Sequence, residues 1–488
     1  MIDDDLDPLT PITSSATLWI GGNWVTSESG ETFDVTDPAT GELLRTVADA
    51  GADDGMAALE SAVAAQKPWA GTTMRERSEL LRRTFELLQR EREPLARLIS
   101  REMGKPLAEA RAEVDYGSEF LRWYSEEVSR PGGEYRVSPD GSSRLLVSRR
   151  PIGPCLLITP WNFPLAMATR KVAAALAAGC TAILKPAPQT PLTSLRFAEL
   201  LHEAGLPFGV LNVLTTTKAA VVCGPLLSDG RIRKLSFTGS TAVGRALISQ
   251  CGPQVVRPSM ELGGNAPFIV LADADLDRAI EGAMTAKMRN MGEACTAVNR
   301  FLIHESLSDQ FSTRLAARMG ALHLGHGLDP STEVGPVIDE VAQASLHALV
   351  EDAVTLGATI IAGGNAVEGV GTFFAPTVLT GVPRTARTFT EEIFGPVAAI
   401  TEFADVDEAV ELANATEYGL VAYLYTTDME QSLRLAERLD FGMVALNRGI
   451  VSNAAAPFGG TKQSGLGREG GREGINDYLD IQYIAVDA

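Results

Sequence analysis

The segment CLLITPWNFPLAMATRKVAAALAAGCTAILKPAPQTP, residues 155–191, decides the fold. Two short apolar runs, CLLI and AIL, bracket the segment AMATRKVAAALAAG, which is rich in alanine and closes on a glycine. That composition predicts a helix, and a helix between two unbroken apolar strands is the crossover of a parallel sheet. The alternation continues downstream. TAILKPA is followed by TSLRFAELLHEAG, VLNVLT by AAVVCGPLLSD, and KLSFTGS by AVGRALISQCG. A chain that repeats strand and helix in this way predicts an α/β fold with helices on both faces of a parallel sheet.

A second series begins at APFIVLADADLDRAIEGAMTAKMRNMG and runs through RFLIHES, ATIIAGG, AAITEF and VAYLYT to GMVALN. The polar turn RPSMELGGNAP separates the two series and marks a domain junction. Upstream, LWIGGNWV reads as a hairpin around Gly-Gly-Asn. Residues from about 57 to 129 are helical in pattern, and RERSELLRRTFELLQREREPLARLISREM predicts a surface helix pair with one buried stripe. GGEYRVSPDGSSRLLVSRRPIG alternates around a turn and predicts a long hairpin arm, with which the alternating terminal segment YLDIQYIAV can pair. The sequence contains no internal repeat and no low-complexity segment.

With 488 residues the chain is too long for one ordinary core. Its net charge of −20, from 42 basic and 62 acidic residues, disfavours nucleic-acid binding. The five cysteines (Cys155, Cys180, Cys223, Cys251, Cys295) show no paired spacing, which fits reduced thiols. The N-terminal MIDDDLDPLTPITSS has neither a basic stretch nor an apolar core, so no signal peptide is expected, and every apolar run is interrupted short of a membrane span. A cytoplasmic protein that binds neither membrane nor nucleic acid is the expectation.

Ligands of such sheets bind at the carboxyl ends of the strands, which here read TPWNFP, KPAPQTP and FTGSTAVG. Gly239 and Gly244 have the spacing of a phosphate loop, but Arg245 and Ala246 follow instead of Lys and Ser/Thr, so a nucleoside-triphosphate site fails. What remains is a Gly-Ser-Thr turn opening a helix, equally an ordinary capped turn or a place where N–H groups meet a phosphate. Lys185 ends a strand, free to reach solvent or to donate to ribose hydroxyls. Asn162 is either a turn residue or an oxyanion donor, and Glu261 either a strand-end carboxylate or a base. Cys295 in GEACTAVNR is a packing cysteine or a nucleophile.

The segments PWNFP, LKPAPQTP, FTGSTAVG, ELGGNAP, GEACTAVNR, EEIFGPV and PFGGTKQSGLGREGG together, in this order, resemble the NAD(P)-dependent aldehyde dehydrogenases across nearly the whole chain. The resemblance implies a Rossmann-type cofactor domain (residues 1–128 and 149–258), an α/β catalytic domain (259–466) and a β arm for oligomerisation (129–148 and 467–488), in a homodimer or homotetramer. It implies Cys295 as nucleophile, Asn162 and the Cys295 N–H as oxyanion donors, and Glu261 as the base that hydrolyses the thioester. Trp161, Lys185, Pro188, Gly239, Ser240, Gly244, Glu392 and Phe394 are then the cofactor residues.

Within the family, WYSEEV, ATRKVAAALAAG and FGGTKQSGLGREGG are most similar to the succinate-semialdehyde dehydrogenases. That similarity implies Arg170, Arg289 and Ser452 as a clamp for the substrate carboxylate; other ω-carboxylate aldehydes such as glutarate semialdehyde are the alternative. Pro188 stands where NAD-preferring relatives often carry Glu, so NADP is the expected cofactor, with NAD possible. Three departures from the family pattern stand out. Glu293 replaces the usual Gln and would raise the Cys295 pKa if it pointed inward. Ala297 occupies the place of a second cysteine in some members. Arg448 and Asn453 lie in a loop where relatives differ. A thiol hydrolase or acyltransferase would want a histidine near the thiol, but His202, His304, His323, His326 and His347 all lie outside the motifs. A binding protein on a retired enzyme fold would have lost Cys295, Glu261 or Asn162.

Overall fold

In the computed structural model, residues 155–191 form the expected unit: strands Cys155–Ile158 and Ala182–Lys185 pair in parallel, with helix Pro164–Ala178 between them. Residues 16–130 and 132–487 are described. The N-terminal segment on which the signal-peptide expectation rests lies outside them. Helix Pro164–Ala178 is buried along its whole length, which explains its alanine content. Helix Leu107–Glu127 packs so closely against it that a side chain at Gly117 would meet the Ala166 Cα at 3.1 Å.

The first sheet has eight strands. In spatial order they are Asn23–Val25, Leu18–Ile20, Leu211–Val213, Ala182–Lys185, Cys155–Ile158, Lys234–Thr238, Arg257–Glu261 and Gly465–Leu466. The five central strands are parallel, and the N-terminal hairpin and Gly465–Leu466 close the edges antiparallel. Strand Arg257–Glu261 crosses the 258/259 boundary drawn from the sequence. Its polar start hides it, because it is defined by pairing with Lys234–Thr238 and not by apolar content of its own. The helical region resolves into Ala52–Ala70, Met74–Arg90, Arg92–Met103 and Leu107–Glu127. A Thr73–Glu76 capping box starts the second of these, and left-handed Gly104 ends the third.

The second sheet has seven strands, ordered Thr359–Ala362, Thr377–Thr380, Val397–Phe403, Val298–His304, Ala266–Val270, Val421–Tyr425 and Met443–Leu446. All its pairs are parallel except the first: ATIIAGG forms an antiparallel edge strand that is largely exposed, not a member of the parallel series. The terminal strand Leu479–Asp487 pairs along the length of Ser143–Pro151, which in turn pairs with Glu134–Val137, as the alternation predicted. This three-stranded arm exposes Tyr135, Val137, Ile481 and Tyr483. Among the described residues no helix is long and apolar enough to cross a membrane.

Candidate active site

Between the two large sheets lies a cavity of about 220 Å³. The first sheet contributes Trp161, Asn162, Gly239 and Ser240 from turns at strand carboxyl ends, and the second contributes Cys295, Glu392 and Phe394. Arg170, Arg289 and Ser452 line it too. Glu261, Lys185, Pro188 and Gly244 do not form its wall; they stand behind it or further along the strand ends.

Cys295 sits on a strained loop. Asn290 and Met291, ahead of it, both take left-handed backbone conformations (φ 55° and 53°), as does Gly292 (φ 78°). The Asn290 amide holds this turn by donating to the carbonyl oxygens of Glu293 (2.9 Å) and Asn162 (3.1 Å). The Gly263–Gly264 pair packs on the same loop. A side chain at Gly264 would meet the Cys295 carbonyl oxygen at 2.6 Å, and one at Gly263 would meet Glu392 Oε2 at 2.7 Å. The glycines of ELGG are thus demanded by close approach.

The Cys295 backbone N–H donates to no acceptor among the described residues. Asn162 Nδ2 donates one bond, to the Glu293 carbonyl at 2.9 Å. An amide nitrogen carries a second hydrogen, so both expected oxyanion donors are free to act. Burial pushes the Cys295 thiol up to about 12; Arg170 and Arg289 oppose this, while Glu261 and Glu392 add to it. At rest the thiol is protonated at neutral pH. The Glu293 carboxyl faces away from it: Oε1 accepts the Ile338 N–H at 3.0 Å, and burial raises its pKa well above the carboxylate range. This orientation removes the concern that it would destabilise a thiolate, since the carboxyl is turned to Ile338 and the carboxylates that act on Cys295 are Glu261 and Glu392.

Glu261, paired with Thr238 at the end of its strand, is buried, and neither carboxylate oxygen has a hydrogen-bond partner among the described residues. Gly459 leaves it room, since a side chain there would meet Oε1 at 2.7 Å. Burial raises its pKa well above the usual value and neighbouring Glu469 adds to the rise, against Arg170, Lys171 and Arg468. Two unsatisfied buried oxygens are costly unless a water meets them. A buried carboxyl with a raised pKa is suited to general-base work on a water that reaches it.

The two arginines differ. The Arg170 guanidinium is fully buried, 2.5 Å from Glu469 Oε2 and 4.4 Å from the centre of the Phe458 ring. Lys171 shares the same carboxylate. Arg289 has no carboxylate or hydrogen-bond partner among the described residues, and stacks over Phe163 (4.8 Å) and Tyr116 (5.8 Å). Of the two, Arg289 is the charge left uncompensated. Ser452 lines the cavity, whereas Arg448 and Asn453 are exposed beyond it.

Beside the thiol the residues fit a dinucleotide. Ser240 caps the helix Thr241–Cys251 and is exposed at its N-terminus, where N–H groups and the helix dipole face outward. A side chain at Gly244 would meet Leu262 at 2.4 Å, so this glycine seats the helix on the sheet. Lys185 ends its strand with its ammonium unpaired by any acceptor among the described residues, and burial lowers its pKa. Glu392 accepts the Gly264 N–H at 2.9 Å, and burial raises it to about 7. Phe394 packs edge-on to Trp161 at 5.4 Å. The Thr238 hydroxyl, on the cavity wall, is buried without a partner among the described residues.

Residues that the sequence reading passed over complete the site: Lys105, Glu113 and Asn290 behind Asn162, Tyr116 and Phe458 on the wall, and Glu469 and Lys171 behind Glu261. Phe458 and Glu469, inside PFGGTKQSGLGREGG, and Lys171, inside ATRKVAAALAAG, lay in motifs that pointed toward the site.

A thiol, an amide and a carboxyl gathered between the strand ends of two α/β sheets, with an exposed helix start alongside, are the groups that a dehydrogenase holding a dinucleotide beside a nucleophile would need. The sequence places it more narrowly. The chain belongs to the aldehyde dehydrogenase family, whose profile it matches over residues 24–484. It is 59% identical over 444 residues to a succinate-semialdehyde dehydrogenase of Paenarthrobacter nicotinovorans (91% of this chain, 99% of the relative). It is 47% identical to a glutarate-semialdehyde dehydrogenase of Pseudomonas putida (96% and 97%). The crystal structure of an NADP-dependent enzyme of E. coli superposes over all of both chains with a TM-score of 0.96 at 45% identity.

Proposed function

We propose that this enzyme oxidises succinate semialdehyde to succinate with NADP. The observation that carries the substrate is Arg289, a guanidinium without an anionic partner stacked on two aromatic rings in the same cavity as Cys295. An uncompensated charge in a half-buried site calls for an anionic ligand. The semialdehyde names of the relatives agree with that, and glutarate semialdehyde, one carbon longer, is the alternative.

The Cys295 thiol gives up its proton to water and attacks the aldehyde carbon as the thiolate, and the oxyanion that forms meets the second N–H of Asn162 and the Cys295 backbone N–H. Bound NADP supplies the hydride acceptor and a positive ring beside the thiol. Lys185 and Glu392 would hold its ribose hydroxyls, Ser240 and the helix start would meet its pyrophosphate, and Trp161 and Phe394 would contribute to the nicotinamide end. Glu261 takes a proton from the water that hydrolyses the remaining thioester. Arg289 and Ser452 hold the substrate carboxylate, with Arg170 adding charge from behind while Glu469 shares it.

Replacing the base should separate the two halves of this chemistry. Glu261→Gln is expected to release one equivalent of NADPH in a burst and then stall. Intact-mass analysis should find a succinyl group on Cys295. In the wild type, the sign follows from the raised pKa: the working base is the ionised form, so deacylation is lost as pH falls through a value well above 4.5, not through the ordinary carboxylate range. A deacylation rate flat from pH 5 to 8, or no acyl-enzyme in the variant, would remove Glu261 from this role.

Pro188, half-buried just past Lys185, offers neither an acceptor for the adenosine ribose nor a charge against a 2′-phosphate. Pro188→Glu is expected to shift the NADP:NAD ratio of kcat/KM toward NAD by about 10²-fold, since a like-charge contact costs several kcal/mol. An unchanged ratio would place cofactor choice elsewhere.

We further propose that the first sheet and its helices form the cofactor domain and the second sheet the catalytic domain. The three-stranded arm, with Tyr135, Val137, Ile481 and Tyr483 exposed, joins subunits into a dimer or tetramer. Sedimentation of the purified chain as a monomer at micromolar concentration would refute the arm's role.

A further inference from the structure

We propose that Lys105 is a positioning residue for the oxyanion amide, acting through the backbone of Asn162; this rests on the reading of Asn162 as an oxyanion donor. Lys105 lies in the short turn between helices Arg92–Met103 and Leu107–Glu127 and is wholly buried. Its ammonium is 2.5 Å from Glu113 Oε2, donates to the Asn162 carbonyl oxygen at 2.8 Å, and lies 4.1 Å from the centre of the Phe163 ring. Glu113 uses its other oxygen on the following turn. Oε1 accepts the N–H groups of Leu165 (2.9 Å) and Ala166 (3.2 Å), the start of helix Pro164–Ala178, which has no side-chain cap of its own.

One buried ion pair therefore grips both sides of the turn that carries Asn162. The Asn162 carbonyl takes a second bond from Asn290 Nδ2, and that same amide group donates to the Glu293 carbonyl that accepts from Asn162 Nδ2. The result is a closed set of bonds linking the oxyanion amide to the loop of Cys295. A lysine–glutamate pair with no exposed surface is an expensive way to fill space, because apolar residues of similar volume would stabilise the fold as well or better. What it provides is a fixed carbonyl, and with it a fixed direction for the Asn162 side chain. Oxyanion donors act only when aimed to within a few tenths of an ångström of the developing charge.

The test is a double-mutant cycle read by single-turnover NADPH formation at saturating aldehyde, with NADP binding and thermal unfolding recorded for each protein. Asn162→Ala should slow the turnover by about 10²–10³-fold. Lys105→Met should slow it by about 10-fold or more, with KM and NADP affinity near those of the wild type. In the double variant the Lys105 effect should vanish, since a group that acts through Asn162 has nothing left to act on. Lys105→Met/Glu113→Gln removes both charges but keeps the acceptor for Leu165 and Ala166, and should repeat the kinetic result in a protein of near-normal stability. Losses that add in the double variant would overturn the proposal, as would a Lys105→Met enzyme of full rate. Failure of both Lys105 variants to fold would make the residue structural and overturn it too. If Asn162→Ala itself keeps the full rate, it is the oxyanion assignment that falls.

Discussion

Cys295→Ala is expected to lose NADPH formation by about 10⁴-fold or more while unfolding and NADP binding stay close to those of the wild type, the loss typical of removing a covalent nucleophile. The side chain makes no hydrogen bond among the described residues, and its removal deletes only the atom that attacks. The neighbours that raise and lower its pKa make a second, independent reading. Burial first, then Glu261 and Glu392, keep the resting thiol protonated, up to about 12, against Arg170 and Arg289. Iodoacetamide should therefore modify the cofactor-free enzyme slowly at pH 7 and faster as pH rises. Fast labelling at neutral pH would contradict the raised pKa, and an alanine variant that still turns over would contradict the assignment of the nucleophile.

Arg289→Ala carries the second largest expectation: kcat/KM for succinate semialdehyde should fall by about 10³-fold, near 4 kcal/mol, because the substrate carboxylate loses a desolvated charged partner. Butanal, which has no carboxylate, should lose little or gain. Arg289 is a cleaner test than Arg170, whose removal would strip Glu469 of one of its two cationic partners and disturb the base along with the clamp. Equal losses for both aldehydes would turn Arg289 into a wall residue, its guanidinium serving only to cover Phe163 and Tyr116.

How much of this was legible before the structure follows from what each element depends on. The parallel strands read correctly because strands buried on both faces are apolar, as Cys155–Ile158 is throughout and Ala182–Lys185 is up to its last residue. Arg257–Glu261 did not, because its identity comes from the neighbouring strand. Two of the three strand-end motifs, TPWNFP and FTGSTAVG, marked the cavity wall, since turns at the carboxyl ends face the crevice. Side-chain direction was beyond reach. Nothing near Glu293 in the chain shows that it turns to Ile338, nor does the text around Arg170 show that Glu469 shares it. Lys105 is the sharpest case. A lysine between two surface-patterned helices reads as solvated, and only the fold brings Glu113, Asn162 and Asn290 around it.

The central claim, an aldehyde with an anionic tail oxidised at Cys295, is tested most directly by steady-state kinetics of the wild-type enzyme with NADP, comparing succinate semialdehyde with butanal. The account predicts that kcat/KM favours succinate semialdehyde by about 10²-fold or more, the discrimination a desolvated charge pair confers. Butanal oxidised as efficiently as succinate semialdehyde would contradict it, leaving the cysteine chemistry in place and Arg289 without a ligand to explain it.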